Sequence, residues 1–209
     1  MFKPTRSSTA QDLAMRKLLL IEFITVDGVM QGLGSPDEDT DGGFTHGGWG
    51  APYAPAIHEA VADAGPSRTS AFLFGRRTYE KMAAFWPYEP DTSPMASQLN
   101  RLPKYVVTHT PTDLDWDGAV SLHGELDVSV KALKEEGEGD IVVLGSGDLV
   151  QQLMKSDLVD ELRLFVHPLL LGTGKRLFRG LLEPRQLRLM ASSTTSRGTL
   201  VLDYEVILA

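Results

Sequence analysis

Twice along this chain a run of strand formers ends in glycine and passes directly into a helical pattern. TSAFLFG at 69–75 leads into RRTYEKMAAFW, and DIVVLG at 140–145 leads through Ser146 and Gly147 into DLVQQLM. A strand that hands over to a helix with no spacer commits the chain to βα units. Such units lie in a mainly parallel sheet with helices packed on its faces. The remaining segments fit that scheme. RKLLLIEFITV at 16–26 reads as a buried first strand, and APAIHEAVADAG as a helix ending at Gly65 with Ile57, Val61 and Ala64 on one face. A short helix over 93–102 precedes strands KYVVTHT and AVSLHG, and the amphipathic ELDVSVKALKEEG ends at Gly137. After a helix beginning near 148 come a strand over 159–172 and two alternating runs, 187–195 and 199–207, joined by SRG as a hairpin. The expected fold is three-layer α/β/α, with an antiparallel C-terminal edge.

The 209 residues suffice for one substantial core, and no repeat or linker divides them. The expectation is one domain over 16–209, preceded by a polar leader, 1–15, that lacks the apolar stretch of a secretory signal. The net charge of −8 opposes general attraction to nucleic acid or anionic lipid. No apolar run approaches the roughly 20 residues of a membrane span. The absence of cysteine excludes disulfides, thiol nucleophiles and thiolate metal sites, and suits the cytoplasm.

In an open α/β sheet, ligands bind beyond the carboxyl ends of the strands, where both glycine junctions lie. At Gly145-Ser146-Gly147 the missing side chains let backbone N–H groups approach an anion, and the following helix start adds partial positive charge. The same grammar also makes an ordinary turn. Asp148 would compete for those N–H groups, or simply cap the helix. At Gly75-Arg76-Arg77-Thr78 two cations sit at a helix N-terminus, where the dipole disfavours them, so they call for a compensating anion or for solvent.

Asp27 to Gly50 carries eight glycines and several acids without periodicity, and a loop of that length is expected to be functional or mobile. Its DEDTDG resembles the start of a calcium loop. The twelfth position from Asp37 is Gly48, where a glutamate is needed, so a solvated acidic loop is expected. Histidines 46, 58, 109, 123 and 167 show no metal-ligand spacing, and no metal is predicted. LGSGD lacks the spacing of a nucleophile elbow, and GTGKRLF that of a P-loop.

Taken together, FITVDGVMQ, FGRRTYEKM, YVVTHT, VVLGSGDLVQQL, VDELRLFVHPLLLGTGKRLF and the closing hairpin resemble the dihydrofolate reductase-like superfamily, in particular the branch of the C-terminal reductase domain of the riboflavin-biosynthesis deaminase-reductase. The resemblance spans Arg16 to Leu208. It implies a mostly parallel eight-stranded sheet and hydride transfer from NADPH to a small heterocyclic acceptor, such as a pterin or a ribosylaminopyrimidine.

By the same resemblance, Gly145, Ser146, Gly147, Asp148 and Leu149 would wrap the cofactor's pyrophosphate. Gly75, Arg76, Arg77 and Thr78 would hold phosphate from the opposite side, and Thr108 with His109 would approach the adenosine phosphate. The paired guanidinium groups favour NADPH over NADH. The glycine-rich loop would close over the nicotinamide, with Asp27, Gly28 and Val29 at its start. Glu59, on the helix before the Gly-Arg motif, is the candidate acid, with Asp63 in reserve and Asp27 beside the reacting centre. Val29, Trp49 and Tyr53 are the candidate acceptor contacts, although aromatic residues beside glycine loops also serve as packing anchors. The riboflavin branch further implies a homodimer. The alternative is a noncatalytic NADP-binding or dimer-forming protein of the same fold.

Overall fold

A computed structural model describes residues 15–63, 68–90, 94–109, 113–181 and 183–207, except for the side chains of 59 and 61–63. The expected leader therefore lies outside the described residues, apart from Met15, and so does the predicted helix end at Gly65.

Eight strands form one sheet: β1 (Leu18–Thr25), β2 (Thr69–Gly75), β3 (Lys104–Val107), β4 (Ala119–Leu122), β5 (Asp140–Val143), β6 (Glu161–His167), β7 (Gln186–Thr194) and β8 (Leu200–Ile207). Their order is β4-β3-β2-β5-β1-β6-β8-β7. All neighbours from β4 through β6 are parallel, while β8 is antiparallel to both β6 and β7. The expected α/β sheet with its antiparallel edge is what forms.

The helices are α1 (Ala54–Asp63), α2 (Arg76–Ala83), α3 (Pro94–Arg101), α4 (Leu126–Glu135) and α5 (Gly147–Lys155). The period-two alternation of the strands divides the core between the two faces of the sheet. Leu18, Leu20, Leu73, Ile141 and Val143 pack with Val130 and Leu133 of α4 and with Leu149, Val150 and Leu153 of α5. On the opposite face Phe72, Phe74, Val106 and Val142 pack with Tyr79 of α2 and Leu99 of α3.

Two boundaries fall short of the expected ones. The helix predicted to reach Trp86 stops at Ala83; Phe85, at φ −120° and ψ −58°, leaves helical geometry, and a 3-10 turn over Trp86–Tyr88 follows with Pro87 at its start. The strand predicted to run to 172 stops at His167, since Pro168 has no N–H for the ladder. Lys104, fully buried, donates to the carbonyls of Leu99, Asn100 and Leu102 at 2.6, 3.2 and 2.9 Å and lies 4.7 Å above the Trp116 ring centre. Its charge thus satisfies the C-terminal carbonyls of α3.

Candidate active site

Unequal strand lengths open a cleft at the carboxyl end of the sheet. The ladders of β5 with β1 and with β2 end at Leu20↔Val143 and Leu73↔Val143. Beyond them β1 continues along β6 to Thr25↔His167, and β2 continues along β3 to Gly75↔Val107. The chain leaving β5 drops into the gap, and the two glycine junctions meet there. A Cβ on Gly75 would lie 2.6 Å from Ser146 Oγ, and one on Gly145, whose φ is +70°, would lie 3.4 Å from Thr78 Oγ1. A side chain at Gly75 would displace the Ser146 hydroxyl, and Gly145 suits glycine by its backbone conformation. The Gly145–Ser146 peptide is cis.

Neither α2 nor α5 has a side-chain cap: Gly75 and Ser146 stand at the cap positions without such a hydrogen bond. Two sets of first-turn N–H groups therefore converge on one cleft. Leu149 is buried beneath it in the α5 core. Thr108 and exposed His109 follow β3, so the strand ends β3, β2 and β5 bring the predicted cofactor residues into one row.

The arginines have local partners. Arg76 pairs with Glu80 at 3.4 Å and Arg77 with Asp41 at 3.2 Å, both among exposed groups. The anion demanded by two cations at a helix start is thus partly met by the protein itself. Asp148, also exposed, pairs with Arg179 at 3.4 Å and does not cap α5.

One residue of this cleft carries no flag in any sequence motif. Glu22 lies in the middle of β1 on the same face as Leu20 and Ile24, opposite Leu164 of β6, and is 6% exposed. Its Oε1 has no hydrogen-bond partner, and it lies 3.7 Å from where a Gly145 Cβ would stand. Burial raises its pKa from 4.5 to about 8, against the opposing effect of the Gly145 and Phe23 N–H groups. Its signal was the alternation itself, which puts residue 22 on the inward face with 18, 20 and 24.

The glycine-rich segment is a packed loop rather than an open lid. Val29, Phe44 and Trp49 form its own buried cluster, supported by Leu33, Leu169 and Leu171. Lys175 clamps it, reaching Asp39 Oδ2 and Asp41 Oδ2, each at 2.7 Å. Asp39 and Asp41 are therefore ion-paired, a correction to the solvated acidic loop expected from DEDTDG. Fully buried Val29 is loop core and offers no surface to an acceptor. Trp49 donates from Nε1 to the Gln31 carbonyl at 2.7 Å, in the anchoring role rather than the stacking one.

Asp27 anchors the base of this loop. It accepts from Thr25 Oγ1 at 2.6 Å and from the Gly172 and Leu171 N–H groups at 2.8 and 3.2 Å, and Arg176 lies 3.6 Å away. The Thr25 hydroxyl, seconded by those N–H groups, outweighs partial desolvation and lowers its pKa to about 2. An ionised carboxylate so engaged orders the chain and has no proton to deliver near neutral pH.

Half-buried Tyr53 is different. Its ring centre lies 4.6 Å from that of His167, which also meets Trp49 at 5.4 Å and Phe23 at 6.2 Å. His167 is fully buried, with Nδ1 3.0 Å from Thr199 Oγ1 and no partner on Nε2. Burial lowers its pKa to about 4, so the imidazole is neutral at ordinary pH. These rings line the sheet face opposite Glu22. Glu59 and Asp63 lie in α1, which begins directly after Tyr53, but their side chains are outside the described residues. Among the described residues, no three histidines or acids group as a metal site would require.

A mainly parallel eight-stranded sheet with an antiparallel edge hairpin, flanked by helices, is the dihydrofolate reductase-like fold found in reductase-type proteins. Within it, the chain belongs to the family of the RibD C-terminal domain, whose model matches residues 16–201. The uncharacterized protein YyaP of Bacillus subtilis (strain 168) is 26% identical over 200 residues, covering 92% of this chain and 96% of that one. A protein assigned to riboflavin biosynthesis from Shewanella sp. PV-4 superposes with a TM-score of 0.64 at 19% identity, over 92% of this chain and 99% of its own. Dihydrofolate reductase from Enterococcus faecalis, solved with NADP(H), gives 0.54 at 16% identity over 91% and 94%.

Proposed function

We propose that the protein is an NADPH-dependent reductase of a small heterocyclic acceptor, a pterin or ribosylaminopyrimidine. The observation that carries this reading is the meeting of two uncapped helix starts, at Gly75–Thr78 and Gly145–Leu149, in one cleft beside two arginines. N–H groups at helix starts and guanidinium groups are the donors that a pyrophosphate and a 2′-phosphate need. The ion pairs of Arg76 and Arg77 are exposed and hence worth little, so a phosphate can replace their carboxylates at small cost. The cleft residues therefore fit NADPH. Gly145, Ser146 and Gly147 would hold its pyrophosphate, with Arg76, Arg77 and Thr78 opposite and Thr108 and His109 toward the adenosine end. Bound there, the cofactor supplies hydride.

We also assign the protein a homodimeric state, on the exposed apolar side chains of β7 and β8.

Thermal unfolding with NADPH, NADH or neither tests the reading. A ligand binding only the native state at 100 times its dissociation constant adds about 2.7 kcal/mol. A shift selective for NADPH and weakened by Arg76→Ala is expected. Equal melting curves with and without saturating cofactor would overturn it, and binding without turnover of any acceptor would favour a noncatalytic NADP-binding protein.

A further inference from the structure

Glu22 is costly to the fold and unexplained by it. A carboxyl among Leu20, Ile24 and Leu164 gains no ion pair, and Oε1 makes no hydrogen bond, although a leucine would suit that face. A polar atom that is buried, unpartnered and set against a ligand-facing loop calls for a partner that arrives from outside. Its location narrows the choice. Oε1 lies against Gly145, in the gap left where β5 ends and β1 continues, so Glu22 reaches the cleft floor between the phosphate-binding junctions and the loop that begins at Asp27.

Resting on the reductase reading, we propose that Glu22 is the acid of the reaction: its carboxyl touches the acceptor at the cleft floor and delivers the proton that accompanies hydride. The acceptor's C=N bond takes hydride at carbon, with oxidation of the nicotinamide, and the Glu22 proton at nitrogen; the π bond breaks and the C–H and N–H bonds form. Glu22 is left as a carboxylate and recovers a proton from solvent, to which 6% of the residue remains open.

Among the described residues no charged side chain forms an ion pair with Glu22. Arg76 pairs with Glu80 and Arg77 with Asp41 on the α2 side, Asp148 of α5 pairs with Arg179, and Arg163 of β6 with Asp203. The carboxyl therefore titrates under burial, with only the Gly145 and Phe23 N–H groups opposing. It stays protonated at neutral pH, as a proton donor must.

The test uses the full chain and two variants, Glu22→Gln and Glu22→Asp. Infrared difference spectroscopy at pH 7 is expected to show the carbonyl stretch of a protonated carboxylic acid that Glu22→Gln lacks, and to show it perturbed when a dihydropterin or ribosylaminopyrimidine is added to the NADPH-loaded protein. In single turnover, Glu22→Gln keeps the NADPH melting shift but reduces the acceptor at least roughly 100-fold more slowly. The wild-type rate falls as pH rises through about 8, and Glu22→Gln has no such fall. Glu22→Asp, which keeps the proton on a shorter arm, is slower than wild type but retains a pH-dependent rate.

An ionised Glu22 at pH 7, or a Glu22→Gln variant as fast as a wild type that binds NADPH and reduces the acceptor, overturns the proposal alone. A wild type that neither binds NADPH nor reduces any acceptor overturns the reductase reading and this proposal together, even where the protonated carboxyl is seen.

Discussion

Glu22 and Asp27 lie on one strand and its exit, yet their surroundings drive the two carboxyls in opposite directions. Asp27 has a hydroxyl and two N–H groups to stabilise its charge; Glu22 is buried with an unpartnered oxygen. The consequence for stability follows from proton linkage. Below 4.5 both the folded and the unfolded chain hold the Glu22 proton. Between 4.5 and about 8 the unfolded chain loses it and the folded one does not, so stability falls as pH rises, by about 1.4 kcal/mol per pH unit. Above about 8 both states are ionised and the loss is complete. Glu22→Gln removes this penalty. Calorimetry across that range should find the variant gaining on the wild type as pH rises from 5 to 8, and parallel curves would show that Glu22 does not titrate abnormally.

The two acids also differ in how far the sequence exposed them. Asp27 stands at the end of a strand beside glycine, where a functional residue is sought, but only the fold brings Leu171, Gly172 and Arg176 to it. Glu22 stands inside RKLLLIEFITV, where one charge among apolar residues reads as an interruption. Its significance depends on β5 ending early, a fact of pairing that no local pattern carries.

At the level of elements, the two strand-glycine-helix junctions were legible because a handover without spacer has few solutions. The Asp27–Gly50 loop was not, because glycine signals both freedom and close packing. Gly47 and Gly50 are there for the second reason: a Cβ on Gly47 would collide with the Pro36 backbone, and one on Gly50 with Leu33. The loop is closed by hydrogen bonds from Gly48 N–H to Gly32 O at 2.7 Å and from Gly50 N–H to Leu33 O at 2.9 Å. Lys175 holds its outer arm through Asp39 and Asp41, whose pKa values are both lowered; for Asp41 the leading cause is the Lys175 hydrogen bond, while for Asp39 that bond and others overcome the desolvation that leads the opposing effects. Both carboxylates therefore hold their charge to lower pH than an ordinary aspartate does, and the clamp with them. Lys175→Ala should speed hydrogen exchange at Gly48 and Gly50 while lowering overall stability little, since partly exposed ion pairs contribute about 1 kcal/mol or less. Unchanged exchange at those amides would show that the Val29–Phe44–Trp49 cluster holds the loop unaided.

For the molecule as a whole, the parallel half of the sheet and its antiparallel edge divide the work. The parallel half positions the cleft, since its central strands are covered on both faces by helices. The edge is built differently. Every residue of β7 is exposed, including Leu187, Leu189 and Met190, and Leu200 and Ile207 of β8 add to the apolar surface. The sequence shows the alternation of these strands but not that their second face lacks a covering layer, which depends on where the helices end up. An edge strand with this much apolar exposure is a liability in a lone chain, and the sheet register shifts between Leu189 and Ala191, which discourages open-ended strand addition while leaving the side chains free to pack. A second copy covering β7 and β8, as in the dimer proposed above, would remove the liability and close the assembly. Sedimentation equilibrium should give a dimer mass for the wild type and a monomer mass for Leu189→Lys, which places a charge on that surface. The cleft lies across β3, β2, β5 and β1, away from this edge, so Leu189→Lys should retain the NADPH melting shift. A monomeric wild type would reject the dimer assignment, whereas a monomeric variant that also loses the shift would mean that the cleft depends on the partner subunit.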